Sequence, residues 1–305
     1  MNIQSVLVCG GTHGNELSGV YAVKHWMQDD SKLKQHAESF SLDFLLVNEL
    51  AIEKRVRFID EDFNRQFSLE KLAIYQKQSN ETTLHEHALA QTLNQRFGPK
   101  QTPKIDFLID IHNTTSNMGP TLIVLESDDF NRQLARYVKK EMPSAVILVE
   151  DHVDYLAHPY FCTLAKKSVM IEVGPQPQGT LRGEVYQQTL EMTEHVLKFI
   201  ALFTESRKKE SEQKELLSGL AQVEAFKLTG EMPYPVDDSG QRNAMIHPAL
   251  DARDFRPLNK GKPCFLHLDE SEVLWDGETV YPHFIGEAAY DRLNLAFATA
   301  DKILF

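Results

Sequence analysis

The feature that most constrains this chain is a recurring pattern: short, largely apolar runs that end in turn residues, separated by stretches with helical periodicity. Residues 3–9 (IQSVLVC) form the first run, Gly10-Gly11-Thr12 follows, and GNELSGVYAVKHWMQ then spaces its apolar residues as one helix face does. The same kind of run returns at 42–47 (LDFLLV), 105–111 (IDFLIDI), 121–125 (TLIVL), 145–149 (AVILV) and 168–173 (SVMIEV), with helical patterns over 84–97 and 128–141 between them. A strand that is apolar on both faces has to be covered on both faces. The pattern therefore predicts an α/β fold built on a parallel or mixed sheet with helices on either side.

Residues 183–203 read as a long amphipathic helix that closes this first unit, and the charged stretch 204–217 (TESRKKESEQKELL) reads as a linker or a solvated helix end. Beyond it the texture changes to short β-like pieces broken by turn signals, such as VEAFKLTGEMPYP and NKGKPCFLHLD. The expected organisation is a catalytic-sized domain over residues 1–205 and a β-rich domain over 218–305. The length of 305 residues suits this division, because single cores stop growing near ~250–300 residues.

Charge narrows the partners. Lysine and arginine total 32 against 44 acidic residues, a net charge of −12, which disfavours nucleic acid and anionic membrane surfaces. No apolar run approaches the ~20 residues of a membrane span, and the start MNIQSVLVCGG lacks the charged segment of a secretory signal. Three scattered cysteines, Cys9, Cys162 and Cys264, fit a reducing compartment, so a cytoplasmic location is expected. The sequence leaves a homo-oligomer open.

Three motifs carry chemistry. His13 and Glu16, in GGTHGNE, stand three residues apart where a strand gives way to a helix, a spacing that lets an imidazole and a carboxylate reach one zinc ion. Alone, the pair also reads as a loop histidine and a helix-start glutamate. His112 ends the buried run IDIHN, and ligands of open α/β sheets gather beyond the carboxyl ends of strands, where His13 also falls. Two histidines and one carboxylate leave a fourth position open, the pattern of a catalytic rather than a structural zinc site. Asp110 reads equally as a residue that orients a ligand and as a buried hydrogen-bonding carboxylate. Glu172 ends the run VMIEVGP, where desolvation would raise its pKa and suit it to act as a general base. A strand-end carboxylate that merely pairs or caps is the plainer alternative.

Taken together, GGTHGNE, DIHNTTSNMG, DEDFNRQF and IEVGPQPQG resemble the aspartoacylase branch of the zinc carboxypeptidase-like superfamily, close to the succinylglutamate desuccinylases. The resemblance continues through IHPAL, RDFRPLNKG and TVYPHFIGEAAY in the second domain. It implies a carboxypeptidase-like mixed sheet with a β-rich C-terminal domain that narrows access to the site. It implies one zinc per chain, held by His13, Glu16 and His112, with Glu172 activating water and protonating the leaving amine. By the same resemblance Arg57 polarises the scissile carbonyl, Asn64 and Arg65 grip the substrate α-carboxylate, and Tyr281 reaches over the substrate. Asp60 and Asp62 either hold these arginines or are solvated. The implied activity is hydrolysis of an N-acyl amino acid, N-acetyl-L-aspartate first. Deacylation of other N-acetyl amino acids, desuccinylation of succinylglutamate, or metal binding without turnover are the competing readings. One position departs from the pattern: Cys162 stands where animal aspartoacylases carry an arginine for the substrate's side-chain carboxylate. Lys166 and Lys167 are the nearby cations, and weaker selectivity for aspartate is expected.

Overall fold

The structure is a computed structural model that describes residues 2–77, 84–206 and 219–305. Its centre is an eight-stranded mixed sheet. In chain order the elements are β1 (Ser5–Gly10), α1 (Leu17–Gln28), α2 (Ser31–Lys34), β2 (Ser41–Leu46), α3 (Glu49–Lys54), α4 (Leu69–Tyr75), α5 (His85–Phe97), β3 (Ile105–Asn113), β4 (Gly119–Val124), α6 (Asp129–Glu141), β5 (Val146–Val149), β6 (Ala165–Gly174) and α7 (Gly183–Ser206). The C-terminal region adds β7 (Glu224–Pro233), β8 (Ala244–Ile246), β9 (Pro263–His267), β10 (Glu272–Leu274) and β11 (Leu295–Leu304). Each apolar run of the first 174 residues became a strand, and the stretch 204–217 lies, from residue 207 on, outside the described residues.

The large sheet runs β11-β7-β5-β4-β6-β3-β1-β2. Strands β2, β1, β3 and β6 are mutually parallel, while β4 runs antiparallel to β6. β1 lies between β2 and β3, so the chain leaves β1 in one direction and later returns on its other side. That reversal opens a crevice at the carboxyl ends of β1 and β3, the usual ligand position in such sheets.

Period-two alternation sorts side chains between two cores. Val6 and Val8 of β1, with Phe107, Ile109 and Ile111 of β3, pack under α1, α6 and α7. Leu7, Cys9 and Leu108 face the opposite side, against Phe63, Phe67 and α5. His112 and Asp110 share the Leu108 face, because they follow it by even steps. This register aims the histidine into the crevice rather than into the α7 core. α6 begins on the side chain of Asp128, which accepts the Asn131 amide, and ends on Lys139 and Lys140, so both helix ends are electrostatically satisfied.

The C-terminal region is stitched to this frame. β7 joins β5 in parallel and β11 joins β7 antiparallel, extending the large sheet, while β8, β9 and β10 form a small antiparallel sheet. Phe265, Phe297, Leu258 and Ile285 are among the residues of its separate core.

Candidate active site

The loop after β1 is shaped by two glycines. Gly11 has φ +76°, a left-handed conformation that L side chains resist, and a β-carbon on Gly14 would collide with the Ala51 backbone of α3. The turn they permit presents His13 and, just before α1, Glu16. His112 arrives from β3, and its register partner on β6 is Glu172.

The three expected ligands converge. Ligand atoms of His13, Glu16 and His112 all lie within 4.8 Å of one another, and all three residues are buried. Nδ1 of His13 sits 2.8 Å from Glu16 Oε1 yet makes no hydrogen bond, while Nδ1 of His112 lies 2.8 Å from Glu16 Oε2. The His13 nitrogen, buried against a carboxylate oxygen without hydrogen-bond alignment, is what a cation between them would satisfy, so these residues fit a zinc ion. Burial would raise the Glu16 carboxyl, but His13 and His112 beside it hold it well below the usual range.

Each outward ring nitrogen faces a carboxylate, with a hydrogen bond for His13 and without hydrogen-bond alignment for His112. His13 Nε2 is 3.1 Å from Asp62 Oδ1, and His112 Nε2 is 3.0 Å from Asp110 Oδ2. Asp110 accepts the Thr12 hydroxyl at 2.6 Å through its other oxygen, so it is both a buried hydrogen-bonding carboxylate and a neighbour of the ligand. Asp62 also binds Arg57 at 3.1 Å, and Arg57 reaches Glu16 at 2.8 Å. Asp60 instead accepts the His85 amide at the start of α5.

A single pocket collects His13, Glu16, His112, Arg57, Asn64, Arg65 and Glu172. Asn64 and Arg65 stand in a short 3-10 turn, Phe63–Arg65, begun by the Asp62 carboxylate accepting the Asn64 amide. Asn64 Oδ1 accepts the Phe161 amide at 2.8 Å, which leaves its side-chain NH2 for a ligand. Arg65 lies over the Tyr160 ring, 5.1 Å from its centroid, and among the described residues it has no ion-pair partner. Burial pushes the Glu172 carboxyl well up, and the nearby charges of Glu16 and Glu287 add to this against His112 and Arg57.

Tyr281 is not brought to this pocket, which corrects the sequence reading. Its ring packs 5.3 Å from Phe226 under Lys302, because its backbone pairs with Ala300 of β11 and turns the side chain away. Tyr290, further along the same region, lines the pocket instead. It is carried by the 3-10 turn Ala288–Leu293, whose Ala289 amide donates to the Glu287 carboxylate while the Ala288 amide donates to the Thr115 hydroxyl. Glu287 also accepts the Thr114 hydroxyl and the Thr115 amide, tying the C-terminal region to the loop after His112. Glu150, Tyr160, Thr114 and Glu287 line the pocket as well and were not singled out from sequence. The one signal for Glu287 and Tyr290 was their place within TVYPHFIGEAAY. Cys162 is fully buried in the short helix Phe161–Leu164, away from the pocket lining. Lys166 is paired with Asp106 at 2.7 Å, and Lys167 with Glu126 and Asp128.

Residues 2–200 match the succinylglutamate desuccinylase/aspartoacylase catalytic domain, and residues 221–302 match the barrel-sandwich hybrid domain of the same family. The chain belongs to the succinylglutamate desuccinylase/aspartoacylase family. It is an amidohydrolase of that family, 38% identical to mouse (Mus musculus) aspartoacylase over 99% of this chain and 93% of the relative. It is 36% identical to an N-acyl-aromatic-L-amino acid amidohydrolase (carboxylate-forming) of Xenopus laevis over 98% of this chain and 95% of the relative. The crystal structure of murine aminoacylase 3 superimposes with a TM-score of 0.87 at 31% identity, over 100% of this chain and 97% of that one. A succinylglutamate desuccinylase from Vibrio parahaemolyticus shares the fold with a TM-score of 0.62 at 14% identity, covering 99% of this chain and 82% of that one. No helix among the described residues is long and apolar enough to cross a membrane.

Proposed function

We propose that this chain hydrolyses N-acyl-L-amino acids to a carboxylate and a free amino acid, using one zinc ion held by His13, Glu16 and His112. The relatives' names, aspartoacylase and N-acyl-aromatic-L-amino acid amidohydrolase, put N-acetyl-L-aspartate and the N-acyl aromatic amino acids in the first panel of substrates to be compared. The observation that carries the reading is Arg65: a guanidinium without an ion-pair partner among the described residues, in the same pocket as three convergent ligands and Glu172. A buried cation of this kind calls for an anionic ligand, and its planar fork matches the two oxygens of an α-carboxylate.

Zinc would supply Lewis acidity to the acyl carbonyl and to water at neutral pH. The remaining chemistry falls to the chain. Asn64 and Arg65 hold the α-carboxylate, which fixes the amide relative to Glu172. Arg57, locked by Glu16 and Asp62, presents positive charge where the carbonyl oxygen becomes anionic. Glu172 accepts a proton from the attacking water and returns it to the amide nitrogen as the C–N bond breaks. A carboxyl already disposed to hold a proton is suited to both transfers.

The test is a panel of N-acyl amino acids assayed for carboxylate and amine release, with and without a chelator. Equal release of both products, lost with chelator and restored by zinc, is expected. Zinc binding with no turnover of any panel member would favour a binding protein instead.

A further inference from the structure

The far wall of the pocket bears on selectivity. Glu150 follows β5 directly, anchored by its amide to the Val124 carbonyl at 2.9 Å, and its side chain lines the pocket while the residue is only 6% exposed. Its Oε2 accepts the Tyr160 hydroxyl at 3.1 Å. Around it stand the apolar side chains of Ile123, Met170 and Phe284. Ile123 and Met170 are register partners on β4 and β6, and Met170 lies two residues before Glu172 on the same sheet face. The apolar floor thus leads away from the reaction centre and reaches a carboxylate.

The cations available to this pocket are already spoken for. Arg57 is committed to Glu16 and Asp62, and on the function proposed above Arg65 takes the α-carboxylate. Cys162 supplies neither charge nor contact, and Lys166 and Lys167 are paired elsewhere. A second substrate carboxylate would therefore enter a desolvated wall that offers Glu150 and no free cation, a mismatch that strongly disfavours binding. Burial pushes the Glu150 carboxyl above the usual range, opposed by the Tyr160 hydroxyl and the charge of Arg65. Even protonated, it gives a carboxylate one hydrogen bond and no charge. To an amide NH2 or a hydroxyl it offers an acceptor in either state.

We infer that Glu150, with Tyr160, sets side-chain selectivity, and that the pocket takes N-acyl amino acids whose side chains are uncharged and end in a hydrogen-bond donor. This rests on the N-acyl amino acid hydrolase reading and names its substrate class. Isosteric pairs isolate the effect: asparagine against aspartate changes charge at constant shape, and tyrosine against phenylalanine removes only the donor. A site built to hydrogen-bond a substrate group rejects the analogue lacking it far more strongly than an apolar pocket discriminates size.

The experiment measures kcat/KM for the N-acetyl derivatives of these four amino acids in the wild-type protein and in Glu150→Gln and Glu150→Ala. The wild type is expected to favour asparagine over aspartate by about 10²-fold or more, and tyrosine over phenylalanine by about 10-fold or more. Both substitutions should shrink the asparagine-to-aspartate ratio by about 10-fold, because they remove the opposing charge. Ratios within one preparation are independent of how much of a variant folds, and the wild-type ratios decide the matter if neither variant is soluble. A wild-type preference for aspartate, or ratios unchanged in both variants, overturns the inference while leaving the hydrolase reading intact. Failure to hydrolyse any N-acyl amino acid overturns both.

Discussion

His112 on β3 and Glu172 on β6 are register partners on adjacent parallel strands, so the sheet itself fixes a zinc-ligand candidate beside the carboxylate proposed to handle protons. Strand pairing is a stiffer mount than a loop, since moving one residue relative to the other means breaking ladder hydrogen bonds. Glu172→Gln keeps the shape of the side chain and removes only its proton chemistry. The variant should retain zinc and fold while kcat falls by about 10²- to 10⁴-fold. Near-normal turnover would remove Glu172 from the reaction.

Arg65 reaches no carboxylate of its own chain among the described residues, so its loss should be felt by the substrate rather than by the fold. Arg65→Ala is expected to lower kcat/KM by about 10²-fold or more, with zinc content unchanged, because a desolvated charge pair commonly contributes several kcal/mol. Arg65→Lys should recover only part of this, lacking the bidentate fork. Equal kcat/KM in all three proteins would place the α-carboxylate elsewhere.

The two tyrosines of the C-terminal region separate cleanly. Tyr290 lines the pocket, and Tyr281 packs on Phe226. Tyr290→Phe should reduce kcat/KM by about 10-fold, the order expected for one lost hydrogen bond to a charged group. Tyr281→Phe should leave it within about twofold. The reverse ranking would mean that this region closes over substrate differently from the arrangement seen here.

Asp254, which is not among the residues lining the pocket, gives a separate pH signature. One oxygen accepts the Ile285 amide at 3.1 Å, the other is buried without a partner, and burial pushes the carboxyl up to about 7. The unfolded chain releases this proton near the ordinary value of ~3.9, so between about pH 4 and 7 the folded state binds more protons than the unfolded one. Stability from this group is full at low pH and declines as pH rises through that window. Asp254→Asn removes the effect while its Oδ1 can still accept the amide. The stability of the variant relative to wild type, from denaturant unfolding, should therefore grow by on the order of 1–3 kcal/mol between pH 4 and 8. A difference that is flat with pH would show that Asp254 ionises normally.

Much of this was legible in sequence, and for identifiable reasons. Continuous apolar runs marked the central strands because burial on both faces leaves no room for polar alternation, as in Val6 to Cys9. His112 and Glu172 stood out because each ends such a run, where a polar residue has to have a partner, and His13 and Glu16 because they stand three residues apart in the turn that follows one. Tyr281 and Tyr290 could not be told apart, since both lie in the same turn-rich segment. Only the pairing of Tyr281 with Ala300, and the capping of the next turn by Glu287, decide which ring faces inward. Glu150 carried no signal at all: a glutamate after VILV reads as a strand end meeting solvent, and its burial depends on Tyr160 folding back over it.

Zinc stoichiometry tests the central claim most directly. Protein stripped with a chelator and titrated with zinc should regain N-acyl amino acid hydrolysis linearly, reaching a plateau at one zinc per chain, and His112→Ala should neither hold the metal nor recover activity. Full hydrolysis in metal-free protein, or retention of stoichiometric zinc by His112→Ala, would contradict the account.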